Sequence, residues 1–303
     1  SSFERSELLG RLCDELAMSS RAERWYRTAL RQNQRHVDTR VRLIRLLTRQ
    51  GQIEEATREY ETLVQHAPRE PRFVTELAEM YLRAGRRDRA LELLARTSRT
   101  NPNDVGIHSA LLNLYSHWGE DELAFNEARI LTRIDPRDER HLIELGERHF
   151  QRGERERALA TWRRIPSTVP DRARGLSALG DVYADHEMAS EALELYQQAL
   201  ALRPNDLGII RRMANVMERM RRWDEAIEHW QQIISVSGDN DVSSRREART
   251  RIVTIWANQR RLHQQLPSLR QRFSADPPDV EAGRFLYEAL ERLSQLGESA
   301  QVM

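Results

Sequence analysis

The side chains that could do chemistry are few, and their spacing opposes most chemistry. The nearest approach to a metal site is His141, Glu144 and His149. On a helix the two histidines share a side but stand about two turns apart, too far to chelate one ion. His149 also falls in a column of tyrosines and reads as a core histidine. His108, Ser109 and Asp104 supply the residue types of a nucleophilic triad, yet neighbouring helical positions point in different directions. No Gly-rich phosphate loop or nucleophile elbow occurs. The expectation is a non-enzyme with no cofactor, no metal and no small-molecule substrate. Cys13, the single cysteine, excludes an internal disulfide framework and a Cys-rich zinc site, and reads as a small core residue.

What positions these side chains is a repeat. Ala22, Ala56, Ala90, Ala124, Ala158, Ala192 and Ala226 recur every 34 residues, and Leu9, Leu43, Leu77, Leu111, Leu145, Leu179 and Met213 keep step thirteen residues earlier. Residues 3–240 therefore read as seven contiguous 34-residue copies of one segment. Within residues 71–104, Val74, Leu77, Ala78 and Tyr81 form one helix stripe, and Ala90, Leu91, Leu94 and Ala95 form a second. Gly85 is placed to close the first helix, Pro102 to stop the second, and Asp104 to cap the next. Each repeat is thus two antiparallel helices. Gly10, Ile44, Ala78, Leu112, Gly146, Gly180 and Ala214 follow the leucine column and would let paired helices approach closely. Tyr26, Tyr60, Leu94, Trp162, Tyr196 and Trp230 make a bulky column in the second helix, with Ala128 the exception. Pro68, Pro102, Pro136, Pro170 and Pro204 end five consecutive copies.

Period, small residue, Tyr, Ala, aromatic and terminal Pro together resemble the tetratricopeptide repeat, over roughly four-fifths of the chain. The resemblance implies an all-α fold, a right-handed α-solenoid of antiparallel helix pairs. First helices would line a concave groove and second helices would form the convex back. The related pentatricopeptide repeat, which reads RNA, has a period one residue longer and does not fit this register. After Asn240 the pattern changes: 241–279 reads as an insertion of about five residues plus a degenerate eighth repeat. Residues 280–303 read as a terminal helix, either a natural cap or the opening of a further repeat cut from a longer array. The second reading is favoured because Phe285, Leu286, Leu290 and Leu293 are apolar for a solvent-facing cap.

All 48 basic residues are arginine, balanced by 47 acids. We read this as codon bias of a GC-rich, bacterial genome, though design or lysine removal would leave the same pattern. Charge is banded: residues 1–100 carry 20 Arg against 15 acids, 101–200 carry 12 against 18, 203–272 carry 14 against 8, and 273–303 carry 2 against 6. No apolar run approaches the roughly 20 residues that span a membrane. Ser1-Ser2-Phe3-Glu4-Arg5 is no signal peptide. The expectation is a soluble protein of bacterial cytoplasm or periplasm.

By the resemblance, function sits on the first-helix residues that avoid the apolar stripe. The candidate peptide-binding residues are Arg45, Arg49, Glu79, Asn113, His117, Glu147, Asp181, Arg211, Asn215 and Arg219. They predict a scaffold or adaptor that binds a peptide or partner protein in the groove, its middle neutral to acidic and its flanks basic. Some tetratricopeptide domains hold a chaperone's terminal carboxylate with a basic residue and an Asn four positions later. Arg211 and Asn215 match that opening pair, but Arg251, Glu281 and Phe285 depart from the rest of the clamp. The alternatives are polyanion or nucleic-acid binding through the Arg-rich 245–272 region, or regulation of an enzyme domain elsewhere. Trp256 and Phe273, the aromatic residues there, fit the core stripe and argue against base stacking. Self-association through an exposed apolar end is a further expectation.

Overall fold

The computed structural model describes residues 2–68, 70–238 and 240–295; the expectation for 296–303 lies outside the described residues. The chain divides into two compact units, one ending at Pro136 and one beginning at Arg137. The first holds α1 (Ser2–Glu15) paired with α2 (Ser19–Gln32), and α3 (Val37–Arg49) with α4 (Ile53–His66). It continues with α5 (Pro71–Arg83) and α6 (Arg87–Thr100), then α7 (Val105–Trp118) and α8 (Asp121–Ile134). The second opens with α9 (Glu139–Gln151), α10 (Arg155–Trp162) and the single turn α11 (Ile165–Thr168). After these come α12 (Arg172–Asp185) with α13 (Ala189–Leu202), and α14 (Leu207–Arg219) with α15 (Trp223–Val236). It closes with α16 (Val242–Asn258), α17 (Leu262–Phe273) and α18 (Val280–Gln295). The fold is all-α, and the described residues include no strand.

Local chemistry repeats along the chain with the hydrophobic columns. Asp104, Asp138 and Asp206 cap α7, α9 and α14, accepting from the backbone N–H of Ile107 (3.0 Å), Arg140 (3.0 Å) and Gly208 (2.9 Å). Pro68, Pro102, Pro136, Pro170 and Pro204 each stand two residues beyond a helix end, where no amide is needed. Between the two helices of a pair the backbone turns through the left-handed region. Gly51, Gly85, Gly119 and Gly153 adopt φ from 72 to 76°, and Ala17, Glu187 and Arg221 occupy the same register at φ 55, 62 and 59°. Arg260, between α16 and α17, does likewise at φ 57°.

The helices of a pair interlock by size. A Cβ on Gly180 would lie 2.6 Å from the Tyr196 ring, one on Gly10 2.6 Å from Tyr26, and one on Gly146 would overlap the Trp162 indole. Each glycine is the hollow that its partner's ring fills. The apparent exception follows the same rule reversed: Leu112 occupies the hollow position of α7, and Ala128 the knob position of α8, both buried. Where Ile44 partly fills the hollow, Tyr60 is only half-buried and turns its hydroxyl to Glu76. Successive pairs pack chiefly through the second helix of one against the first helix of the next, α2 on α3 and α4 on α5 in one unit and α13 on α14 and α15 on α16 in the other, with further first-helix contacts from α5 to α7 and from α9 to α12 to α14.

One second helix departs from the simple pair. Pro166 cannot donate to the carbonyl of Trp162, so α10 stops there and the chain re-forms as α11. Ile165 is fully buried, and the Val169 side chain closes over Gly175 of α12, where a Cβ would sit 2.6 Å from it.

Two outcomes are expected. Leu112→Gly and Ala128→Tyr should each lower stability by about 2–5 kcal/mol, one by a cavity and one by overpacking. Their combination should recover at least about 1 kcal/mol relative to the sum, read from urea denaturation. Glu187→Gly should raise the melting midpoint, by relieving about 1 kcal/mol of left-handed strain.

Candidate functional site

The first helices carry every sequence-predicted site residue, and packing divides those residues into two classes. In the N-terminal unit, Arg45 and Arg49 project from α3, Glu79 from α5, and Asn113 and His117 from α7. Arg49 is ion-paired with Asp14 of α1, which also accepts from Tyr26 Oη at 3.4 Å. Burial first, and the Asp14 charge second, push the Tyr26 phenol up to about 12. Glu79 lies 3.8 Å from Arg83, one turn along α5. Arg45, Asn113 and His117 are exposed and make no ion pair.

In the C-terminal unit, Glu147 Oε1 lies 2.7 Å from His186 Nε2, whose ring is flanked by Phe150 and Trp162 at centroid distances of 4.3 and 4.7 Å. Asp181 accepts from Tyr196 Oη at 2.7 Å and meets Arg212 Nε at 2.8 Å. Burial, and then the hydrogen bond to Asp181, hold the Tyr196 phenol above its usual range. Arg211 donates to Glu247 at 3.0 Å and to Ser244 Oγ at 3.3 Å. Asn215 and Arg219 are exposed and make no ion pair. Gln151 and Asp185, one register position along their helices, are likewise exposed.

The catalytic and metal arrangements weighed from sequence do not assemble. His108 is fully buried, with Nδ1 2.5 Å from Glu127 Oε2, while the Asp104 carboxylate serves the N-terminus of α7. Ser109 is therefore without a base. His141, Glu144 and His149 each turn to a different partner: Asp138 at 3.9 Å, Arg148 at 2.8 Å and Glu154 at 2.6 Å.

The Arg-rich stretch is mostly consumed inside the fold. Arg245 and Arg249 reach Glu281 of α18 at 3.1 and 2.8 Å, Arg251 reaches Glu218 at 2.6 Å, Arg261 reaches Asp224 at 2.8 Å, and Arg272 reaches Asp279 at 2.6 Å. Arg246, Arg260 and Arg270 are left exposed. Sequence reasoning missed these partners, all of which except Asp279 lie a repeat length away. It also missed the node at Glu218, which accepts from Trp230 Nε1 at 2.7 Å while Arg251 stands 5.9 Å above that indole. The spacing of Glu218 and Trp230 equals that of Asp14 and Tyr26, the one signal that could have revealed it.

Two family models, both described as tetratricopeptide repeat, match the chain, one over residues 49–114 and 183–242 and the other over 143–206. No curated protein matches it. Among solved structures the chain is similar to a tetratricopeptide repeat protein from Parabacteroides merdae, at 14% identity, covering 95% of this chain and 99% of that one with a TM-score of 0.39. It is similar to PilW, a type IV pilus biogenesis factor, at 15% identity, covering 71% and 98% with a TM-score of 0.40. Pseudomonas aeruginosa PilF matches at 20% identity, covering 72% and 97% with a TM-score of 0.38. Among the described residues no helix is long and apolar enough to cross a membrane.

The Glu281 cluster gives a pH dependence. Burial works to raise the Glu281 carboxyl, but hydrogen bonds and charge from Arg249 and Arg245 hold it below its ordinary 4.5. A depressed folded value stabilises above the unfolded one and is lost as pH falls through it. Acidification below the ordinary carboxylate range should therefore loosen α18 from α16. Glu281→Gln should abolish that dependence and cost about 3 kcal/mol at neutral pH by leaving Arg249 buried and under-paired, measured by hydrogen exchange in α16 and α18.

Proposed function

The chain belongs to the tetratricopeptide repeat family, and we propose that it is a non-catalytic scaffold that holds an extended segment of a partner protein against its first helices. One observation carries this reading. In a chain where many guanidiniums and carboxylates pair off, a set of first-helix side chains stays exposed and makes no ion pair. These are Arg45, Asn113 and His117 in the N-terminal unit, and Gln151, Asp185, Asn215 and Arg219 in the C-terminal unit. Asn and Gln offer a donor and an acceptor together, which suits the amide backbone of an extended peptide. Arg45 and His117 favour acidic partner residues on the N-terminal unit, and the C-terminal unit offers both signs.

Arg49, Glu79, Glu147, Asp181 and Arg211 belong to the same proposed surface but are already committed to internal partners. They would contact a ligand only by sharing those partners. Arg251 and Glu281, which depart from the carboxylate clamp of chaperone-binding relatives, are held in internal ion pairs. The polyanion reading loses support, because five of the arginines it needs face carboxylates.

The same proposal divides the chain into seven contiguous repeats over 3–240, an insertion with an eighth repeat over 241–279, and a terminal helix from 280. The left-handed turn at Arg260 supports the eighth. It lies 39 residues after that of Arg221, one period plus an insertion of five.

The test is affinity capture from a lysate of the source organism, read by mass spectrometry, with two variants beside the wild type. One carries Arg45→Glu, Asn113→Ala and His117→Ala; the other carries Asp185→Arg, Asn215→Ala and Arg219→Glu. These positions are exposed and structurally uncommitted, so each single change should move stability by no more than about 0.5 kcal/mol. Loss of a specific protein from either variant is the expected result. Identical captures by all three chains would sink the reading.

A further inference from the structure

Apart from the faces above, exposed apolar side chains gather at α16 and α18. The two stripes of α18 do different things. Ala282, Phe285, Ala289 and Leu293 are buried, with the Phe285 ring 5.7 Å from Trp256 of α16. A second stripe, Val280, Gly283, Tyr287 and Leu290, runs at spacings of three, four and three. Its side chains are open to solvent: Val280 is 60%, Tyr287 69% and Leu290 37% exposed. That spacing is the a/d seam of a two-stranded coiled coil with one strand missing. Phe273 extends the apolar floor: a Cβ on Gly283 would lie 2.6 Å from its ring, and the ring is 47% exposed. With Val253 and Thr254 of α16 opposite, Val280, Gly283, Tyr287 and Phe273 bound a cleft of about 610 Å³.

The rim is cationic. Arg246, Arg249, Arg284 and Arg292 border the cleft against Glu288 and Glu291. Glu288 is already engaged by Arg249 at 3.0 Å and Thr250 at 3.1 Å. Glu281 serves Arg245, Arg249 and Arg284 at 3.1, 2.8 and 3.3 Å, three guanidiniums on one carboxylate. Arg246 is exposed with no carboxylate in ion-pair range. Among the described residues the rim thus carries an uncommitted guanidinium, Arg246, and a shared one, Arg284, beside an apolar seam of helical period.

We infer that the cleft between α16 and α18 docks an acidic amphipathic helix of a partner protein. Its apolar a/d residues would complete the seam over Val280, Gly283 and Tyr287, and its flanking Asp or Glu residues would meet Arg246 and Arg284. A nucleic acid or anionic lipid surface would meet the arginines but leave the apolar seam in water. An extended peptide would not match the three, four, three spacing. The seam covers about three helical turns, so a partner helix of similar length suffices.

The probe is a three-heptad synthetic peptide with Leu at a and d, Glu at e and g, and Ala elsewhere. Repulsion between its own e and g carboxylates disfavours self-pairing. Fluorescence anisotropy with the full chain should show saturable binding, weakened by salt, and none to the same peptide with Lys replacing Glu. Arg246→Glu and Tyr287→Ser alter exposed side chains that support no internal ion pair. Each should weaken binding about tenfold with the circular-dichroism melt unchanged. The Asp185→Arg, Asn215→Ala, Arg219→Glu variant should bind the peptide like wild type, so failure here and failure of the first-helix reading are distinguishable. The inference is overturned if neither peptide binds, if both bind equally, or if heparin competes while Tyr287→Ser has no effect. It is equally overturned if Tyr287→Ser abolishes a concentration-dependent dimer in a chain that ignores the peptide.

Discussion

Everything else in the chain depends on how closely two helices of a pair can approach, and a size rule between two positions sets that distance. Gly10, Gly146 and Gly180 admit the rings of Tyr26, Trp162 and Tyr196 against bare backbone. Such a contact removes a large ring from water without the cavity or overlap that costs stability in close-packed interiors. Once the spacing is fixed, the polar tip of the ring reaches an acceptor on a first helix: Asp181 for Tyr196, Glu218 for Trp230 and the Ile143 carbonyl for Trp162. A buried polar tip thereby finds a partner, and an acid of the first helix is drawn into the fold. Which first-helix acids stay uncommitted depends on this packing and not on their exposure alone.

Charge then joins each pair to the next. Arg212 and Asp181, Arg251 and Glu218, Arg174 and Glu139, and Arg249 and Glu288 stand between 31 and 39 residues apart, about one repeat in each case. Guanidinium suits the role, because its planar fork can address two acceptors at once. The local charge excesses of the sequence are therefore offset by mixed-sign seams in the folded chain.

The all-α class, the helix pairs and the Asp104 cap were legible because they depend on local period and capping chemistry. Three things were not. The left-handed turns at Ala17, Glu187 and Arg221 carry no glycine, so only their register with Gly51 and Gly85 betrays them. The break after Trp162 was hidden because Pro166 precedes the expected stop at Pro170 by only four residues. The split of the candidate site into committed and exposed side chains depends on contacts a repeat length apart. A sequence shows the separation of Arg251 and Glu218 but not that their side chains meet.

The ion pairs between successive helix pairs act as springs along the stack. Arginine keeps its charge at any pH a cell reaches. Dissolved ions weaken its pairs, since the exposed ones lie within reach of screening over a Debye length of about 8 Å at physiological ionic strength. Within each unit, the exposed pairs therefore slacken as the surrounding electrolyte becomes more concentrated.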